Sequence, residues 1–321
     1  MPSKPVVWIT RALSANTLER ARTHYEVIFD PADEPATADT IIARSAEVDA
    51  MIPCHSEVFS ADVVARLSPR LRIIANHSVG VDHCDLQALK ARGIVVTNTP
   101  DVLSDATAEI AMLLLLGAAR RASEGDALVR SGQWTSWSPS FMVGRQVTGK
   151  RLGIIGMGKV GQVMARRARG FDMEVHYHNR HRLSTHDEQG ATYHASIESL
   201  LPRSEFLSLH CPATAQTTGL MNSRTLAQLP DRAILINTAR GALVDEQALL
   251  DAIDSGHLAA AGLDCFTTEP GGNPAFAAHR NIFMLPHIGS ATFETRDAMG
   301  FRALDNLDAF FAGKVPGDQL V

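Results

Sequence analysis

Leu152-Gly-Ile-Ile-Gly156-Met-Gly158-Lys-Val-Gly161 runs an apolar, β-branched strand straight into a glycine turn and out into a helix. Each glycine answers a separate constraint. Gly156 permits the tight turn, Gly158 lets the backbone approach a pyrophosphate, and Gly161 allows the helix to pack closely on the strand. The helix that begins near Lys159 turns free N–H groups and a positive dipole end toward the same place. A GxGxxG alone is weak, because glycine turns are common. Here a second strand, Glu174–Tyr177, follows where a dinucleotide-binding βαβ unit requires it, and that context makes the reading specific.

An acidic residue at the end of that second strand normally holds the adenosine ribose hydroxyls. This chain instead reads Tyr177-His178-Asn179-Arg180-His181-Arg182, with Asn179 18 residues past Gly161. An uncharged amide followed by two guanidiniums suits a 2′-phosphate. NADP(H) is therefore expected ahead of NAD(H), which stays possible, with Asn179, Arg180 and Arg182 as the selecting residues.

Outward from this unit the chain keeps one rhythm. Short apolar, β-branched runs alternate with amphipathic stretches, the pattern of parallel sheets joined by crossover helices. Strands are predicted at Val6–Ile9, Glu26–Phe29, Ala50–Pro53, Arg72–Asn76 and Ile94–Thr97. A second series follows at Arg151–Ile155, Glu174–Tyr177, Phe206–Leu209, Ala233–Asn237, Ala259–Leu263 and Ile282–Leu285. Helices are predicted at Ser14–His24 and Ala61–Leu67, as one long helix from about Ser104 to Ser131, and at Thr292–Phe311. A loop rich in Trp, Ser and Pro, Gly132–Ser140, precedes the second series, and no sequence repeat relates the halves.

Composition narrows the class. At 321 residues, 45% hydrophobic and 20% charged, the chain suits a globular protein of about two domains. A net charge of −5 gives no general attraction to nucleic acid or anionic lipid. The opening MPSKPVVWIT lacks the long apolar region of a signal peptide. The apolar stretch Ile110–Ala119 is about half of a membrane span. A cytoplasmic protein without nucleic-acid or membrane partners is expected. Four widely spaced cysteines, Cys54, Cys84, Cys211 and Cys265, with no CxxC pair, suggest reduced thiols and no zinc site or other metal centre.

Three later strand ends carry polar residues. They are Asn237-Thr-Ala-Arg240-Gly241, then Gly262-Leu-Asp264-Cys-Phe-Thr-Thr-Glu269-Pro270, then Leu285-Pro-His287-Ile-Gly289-Ser290. Ligands of open α/β sheets bind off the carboxyl ends of strands, so these turns are expected to converge. Arginine forks onto a carboxylate. Histidine titrates near neutral pH and shuttles a proton, and a neighbouring glutamate fixes its tautomer and favours its charged form. Singly, each has an ordinary structural explanation; together they make a coherent set.

With these motifs in place the chain resembles the D-isomer-specific 2-hydroxyacid dehydrogenases over essentially its whole length. The resemblance rests on Gly156-Met-Gly158-Lys-Val-Gly161, Asn237-Thr-Ala-Arg240-Gly241, Gly262-Leu-Asp264 with Glu269-Pro270, and Pro286-His287-Ile-Gly289-Ser290. Ser78-Val79-Gly80-Val81-Asp82-His83 and Asn98-Thr99-Pro100 match in the first half. Within the family it is similar to the D-glycerate dehydrogenases and glyoxylate/hydroxypyruvate reductases. The resemblance implies an α/β fold of two doubly wound parallel-sheet domains, a Rossmann-type cofactor domain inserted in a flavodoxin-like substrate domain. The substrate domain is expected at 1–102 plus 288–321 and the dinucleotide-binding domain at 103–287.

It implies roles as well. Arg240 grips the substrate carboxylate and carbonyl oxygen, His287 donates the proton, and Glu269 hydrogen-bonds His287 and keeps it protonated. Asp264 holds the nicotinamide carboxamide, and the amides of Val79 and Gly80 bind the substrate carboxylate. Thr107, Pro212 and Thr238 are expected beside the cofactor with Lys159 and Val160 of the glycine turn. A homodimer is implied, for which the helix from Ile110 and the loop of Trp134 and Trp137 are the expected surface. Two other readings share the fold: action on another anion, phosphite or a bulkier 2-keto acid, and a non-enzymatic nucleotide-sensing corepressor.

Overall fold

Strands that are apolar on both faces have to be covered on both, which is why this chain builds parallel sheets between layers of helices. The structure, a computed structural model, describes residues 4–321 and divides into two units, Met1–Leu103 with Ser290–Val321, and Ser104–Gly289. In the first unit the strands are β1 (Val6–Ile9), β2 (Glu26–Phe29), β3 (Ala50–Ile52), β4 (Ile73–Ala75) and β5 (Val95–Thr97). They form one parallel sheet in the order β2-β1-β3-β4-β5, the flavodoxin-like doubly wound order. Alternate residues face opposite ways: Val7, Ile9, Ile52 and Ile73 meet Ala303, Leu304 and Leu307 of the helix Phe293–Phe311. Trp8, Met51, Ile74 and Val96 meet Val63, Val64 and Leu89 on the other face. The last helix of the chain therefore closes the core of the first unit.

The second unit holds β6 (Arg151–Ile155), β7 (Glu174–His178), β8 (Thr192–Tyr193), β9 (Phe206–Leu209), β10 (Ala233–Asn237), β11 (Leu258–Leu263) and β12 (Ile282–Met284). Its parallel sheet runs β12-β11-β10-β9-β6-β7-β8. Counted within the unit, the first six strands reproduce the Rossmann order, and the order reverses between β6 and β9. A ligand crevice is expected outside the carboxyl ends of those two strands. Strand β8 escaped the sequence reading; two residues, Thr-Tyr, are too short to show a period.

One expectation is corrected. The helix expected over Ser104–Ser131 is two helices, Ser104–Arg120 and Ala122–Arg130, broken at Arg121, whose φ of +57° is left-handed. The Ala119 carbonyl, which a continuous helix would spend on itself, accepts the Arg145 amide at 2.7 Å. The apolar run Ile110–Leu116, offered as a dimer surface, lies mainly in the core, with Ala111, Met112, Leu114 and Leu115 buried against the sheet. Among the described residues no helix is long and apolar enough to cross a membrane.

That helix comes so near β11 that a Cβ on Gly262 would sit 2.8 Å from Leu114 Cβ and 2.9 Å from its carbonyl oxygen. Gly262→Ala is expected to cost about 1–3 kcal/mol by overpacking and to lower the thermal midpoint by several degrees. Thermal unfolding followed by circular dichroism checks this; an unchanged midpoint would show that the helix can move aside.

Candidate active site

The glycine turn after β6 is stereochemically committed. Gly156 has φ +92°, and a Cβ there would lie 2.5 Å from the amide nitrogen of Cys211, two residues past β9. At Gly161 a Cβ would lie 2.5 Å from the Gly156 carbonyl oxygen, so the helix Lys159–Arg169 can pack on β6 only with glycine there. Gly158, the N-cap of that helix, has the opposite surroundings: a Cβ would meet nothing within 4 Å. The outer side of the turn is open where Lys159 and Val160 begin a helix N-terminus, which fits a pyrophosphate.

Asn179 follows β7 and closes the turn from the side. Its Oδ1 accepts the Met157 amide at 2.7 Å, and its Nδ2 donates to the Met157 carbonyl at 3.3 Å. Arg180 is exposed beside it. Arg182 is drawn off to Glu188, with Nε and Nη2 at 2.7 and 3.1 Å from the two carboxylate oxygens.

Beyond the switch point, strand ends supply the remaining groups. His210, just past β9, is sandwiched by hydroxyls: Ser208 Oγ lies 2.8 Å from Nε2 and Thr238 Oγ1 3.5 Å from Nδ1. Burial pushes its pKa down to about 4, so it is neutral. Sequence reading passed over this residue, although a histidine directly after a buried strand was a usable signal. Pro212 follows on the exposed loop.

Past β10 the buried Asn237 folds the chain back: its Nδ2 donates to the Arg240 carbonyl at 2.8 Å, and its Oδ1 accepts the Ala239 amide at 3.0 Å. Arg240 is half-buried, with Nη1 2.8 Å from the Ala239 carbonyl. Gly241 follows because a Cβ would run into the Phe266 backbone at 1.9 Å.

The loop after β11 carries Asp264 and Glu269, and the loop after β12 carries His287. Glu269 Oε1 accepts the Phe266 amide at 2.7 Å, which leaves Oε2 to meet His287 Nδ1 at 2.5 Å. The imidazole is therefore oriented by a carboxylate that is itself held, with Nε2 on its far side. His287 has φ +53°, an uncommon conformation for a residue with a side chain. Asp264 supports it: Oδ1 accepts the Ile288 amide at 2.8 Å, while its Oδ2 is buried without a well-directed hydrogen bond. Desolvation raises the pKa of Asp264 to about 6, against the lowering pull of the Ile288 amide and of His287. Thr107 is buried, with its Oγ1 3.5 Å from the Cβ position of Gly289.

In the first unit Ser78-Val79-Gly80 is held by the other motif singled out in that half. Asn98 Nδ2 donates to the Val79 carbonyl at 2.8 Å and the Thr99 amide donates to the Ser78 carbonyl at 2.9 Å. Ser78 Oγ donates to the Gly80 carbonyl at 2.8 Å. With these carbonyls engaged, the amides of Val79 and Gly80 are the donors such a turn offers to an anion.

Residues 112–289 match the family model described as "D-isomer specific 2-hydroxyacid dehydrogenase, NAD binding domain". A glycerate dehydrogenase of Hyphomicrobium methylovorum is 44% identical over 313 residues, 97% of each chain. A glyoxylate reductase of Thermococcus gammatolerans is 42% identical, covering 98% of this chain and 95% of its own. The crystal structure of an NADPH-dependent glyoxylate/hydroxypyruvate reductase from Sinorhizobium meliloti, in complex with NADP and malonate, has a TM-score of 0.87 at 31% identity. That match covers 99% of this chain and 97% of the other.

The raised pKa of Asp264 carries a stability consequence. Its folded value, about 6, lies above the ordinary 3.8, so the folded protein holds the proton more tightly and ionisation opposes folding. That cost is absent below about pH 4, grows between 4 and 6, and is complete above 6. Asp264→Asn keeps an oxygen for Ile288 and removes the charge. Its ligand-free thermal midpoint is expected to exceed the unsubstituted protein's by a few degrees at pH 7.5 and to converge with it near pH 4. Midpoints across pH 4–8 test this; a constant difference would mean that folding does not raise the pKa of Asp264.

Proposed function

The chain belongs to the D-isomer-specific 2-hydroxyacid dehydrogenase family and is an oxidoreductase of that type, and from that premise we propose that it reduces glyoxylate and hydroxypyruvate with NADPH as preferred hydride donor. The observation that carries the reading is the Glu269–His287 pair at 2.5 Å on the loops after β11 and β12, with Arg240 after the adjacent β10. A small substrate is favoured by the names of the relatives and structural neighbours, which act on two- and three-carbon acids.

The nicotinamide cofactor, when bound, supplies the hydride or takes it back. The chain's own residues manage charge and protons. Glu269 accepts the Nδ1–H of His287 and orients the ring with Nε2 toward substrate; the imidazolium form, with a proton on both nitrogens, is the proton donor. As negative charge develops on the keto oxygen, His287 Nε2 delivers a proton to it, and it recovers that proton in the oxidation direction. Arg240 presents its guanidinium to the substrate carboxylate, a planar fork matched to a planar anion. The buried Oδ2 of Asp264 is assigned to the carboxamide of the cofactor. Thr107, Pro212 and Thr238 are assigned to the same cofactor, and the turn Gly156–Gly161 to its pyrophosphate. Asn179 carries no charge to repel a 2′-phosphate, and Arg180 stands exposed next to it.

A homodimer is the second part of the reading. Val129, Trp134, Trp137 and Val143 are 60%, 54%, 74% and 64% exposed along one segment of the second unit. An apolar stretch of that kind is a surface a partner covers. Light scattering on the purified protein decides it.

Three outcomes are expected. His287→Ala lowers kcat by about 10²- to 10⁴-fold with little change in cofactor affinity; near-normal kcat would remove His287 from the role of acid. Arg240→Lys is expected to lower kcat/KM for the keto acid severely despite keeping the charge; values within twofold would make Arg240 a turn residue. For cofactor choice, kcat/KM with NADPH is expected to exceed that with NADH by about tenfold at one ionic strength, the discounted worth of a partly exposed charged contact. Equality would refute the NADP(H) preference, and activity on phosphite or bulky keto acids alone would refute the substrate.

A further inference from the structure

The two arginines after β7 stand in different electrostatic settings. Arg180 is exposed and, among the described residues, makes no ion pair. Arg182 is spent. Its Nε and Nη2 lie on both oxygens of Glu188, which is only 4% exposed. Glu188 is itself pinned, because its Oε1 also accepts the hydroxyl of the fully buried Tyr177 at 2.7 Å. That hydroxyl in turn accepts the Leu183 amide at 3.0 Å. The Arg182 guanidinium lies 5.8 Å from the centre of the Tyr193 ring, and the Tyr193 hydroxyl donates to the Asn179 carbonyl at 3.4 Å. Asn179 grips the glycine turn through Met157.

Glu188 is buried and keeps the Tyr177 hydroxyl as a donor when its cation leaves. Pulling Arg182 away would strand an uncompensated charge, the costly way to break such a pair. Two formal cations in this loop therefore act toward an incoming anion as one.

We propose that Glu188 is a specificity-determining positioning residue: it neutralises Arg182 and keeps it as a strut beneath the Asn179 turn, leaving Arg180 as the single cation that discriminates a 2′-phosphate. This rests on the NADP(H) reading given above and adds a residue, outside any motif, that limits how strong the preference is. The carboxylate needs no contact with the cofactor for this; it acts through the charge it cancels.

The test uses the full-length protein with NADPH, NADH and 2′,5′-ADP as probes, measuring dissociation constants by calorimetry and thermal midpoints in parallel. Arg180→Ala is expected to remove most of the NADPH-over-NADH affinity ratio with the midpoint unchanged. Arg182→Ala is expected to lower that ratio about three- to tenfold, because the Glu188 charge it unmasks opposes a 2′-phosphate, and to lower the midpoint. Glu188→Gln, which keeps the shape and drops the charge, is expected to tighten NADPH and 2′,5′-ADP by about three- to tenfold with NADH unchanged. Should Arg182→Ala fail to fold because Glu188 is left uncompensated, the double change Arg182→Ala with Glu188→Gln removes both charges and is expected to keep the ratio. A ratio that collapses in the double variant, a ratio unmoved in Arg182→Ala, or no gain in Glu188→Gln, would overturn the proposal. If the unsubstituted protein binds both cofactors equally, the NADP(H) preference fails by itself. A selective gain of 2′,5′-ADP affinity in Glu188→Gln would still support the neutralising role, and its absence would sink that role too.

Discussion

The Ile288 amide donates to Asp264 at 2.8 Å, and the histidine beside it depends on that bond. His287 stands in a left-handed conformation that its own backbone does not favour. A conformation of this kind persists only when its surroundings over-determine it. Here the loop after β11 does so twice, gripping the backbone through Asp264 and the ring through Glu269. The Asp264 amide in turn donates to the Asn237 carbonyl at 2.9 Å, so the turn that carries Arg240 is tied to the same point. Arginine, glutamate and histidine are thus set by neighbouring parallel strand ends.

That arrangement has a cost, and it falls on Asp264. A carboxylate with one well-directed amide and no exposure titrates near 6 because desolvation outweighs the help it receives. Groups perturbed in this way concentrate at functional sites. His210 shows the converse: its burial between Ser208 and Thr238 keeps it neutral and makes it a fixed hydrogen-bonding element of the wall.

Much of this was legible along the chain. Eleven strands were read at or near their observed positions, because a fully buried parallel strand writes itself as a short β-branched run. The missing one, Thr192–Tyr193, is too brief to carry a period. The long helix read through Arg121 failed for a different reason. No glycine or proline marks the break; the Ala119 carbonyl is taken by the amide of Arg145, a residue far along the chain. At the site, the glycines, Asp264, Glu269 and His287 stood out as motifs. Glu188 and Tyr193 did not, since nothing local separates a buried partner from a surface residue of the same type.

What the sequence by itself determined is the fold class, the family, the glycine turn and the identity of the polar residues at the strand ends. Hydrophobic period and glycine sterics act over a few residues, so they can be read in one dimension. What only the tertiary structure decided is how charges are spent. Arg180 and Arg182 look equivalent in sequence, two residues apart on one loop, and both reach solvent, yet only Arg182 is cancelled by a carboxylate, the buried Glu188 held by Tyr177 of β7. The interaction of two charges depends on their separation in space and on the water excluded between them, and neither quantity is written in the order of residues.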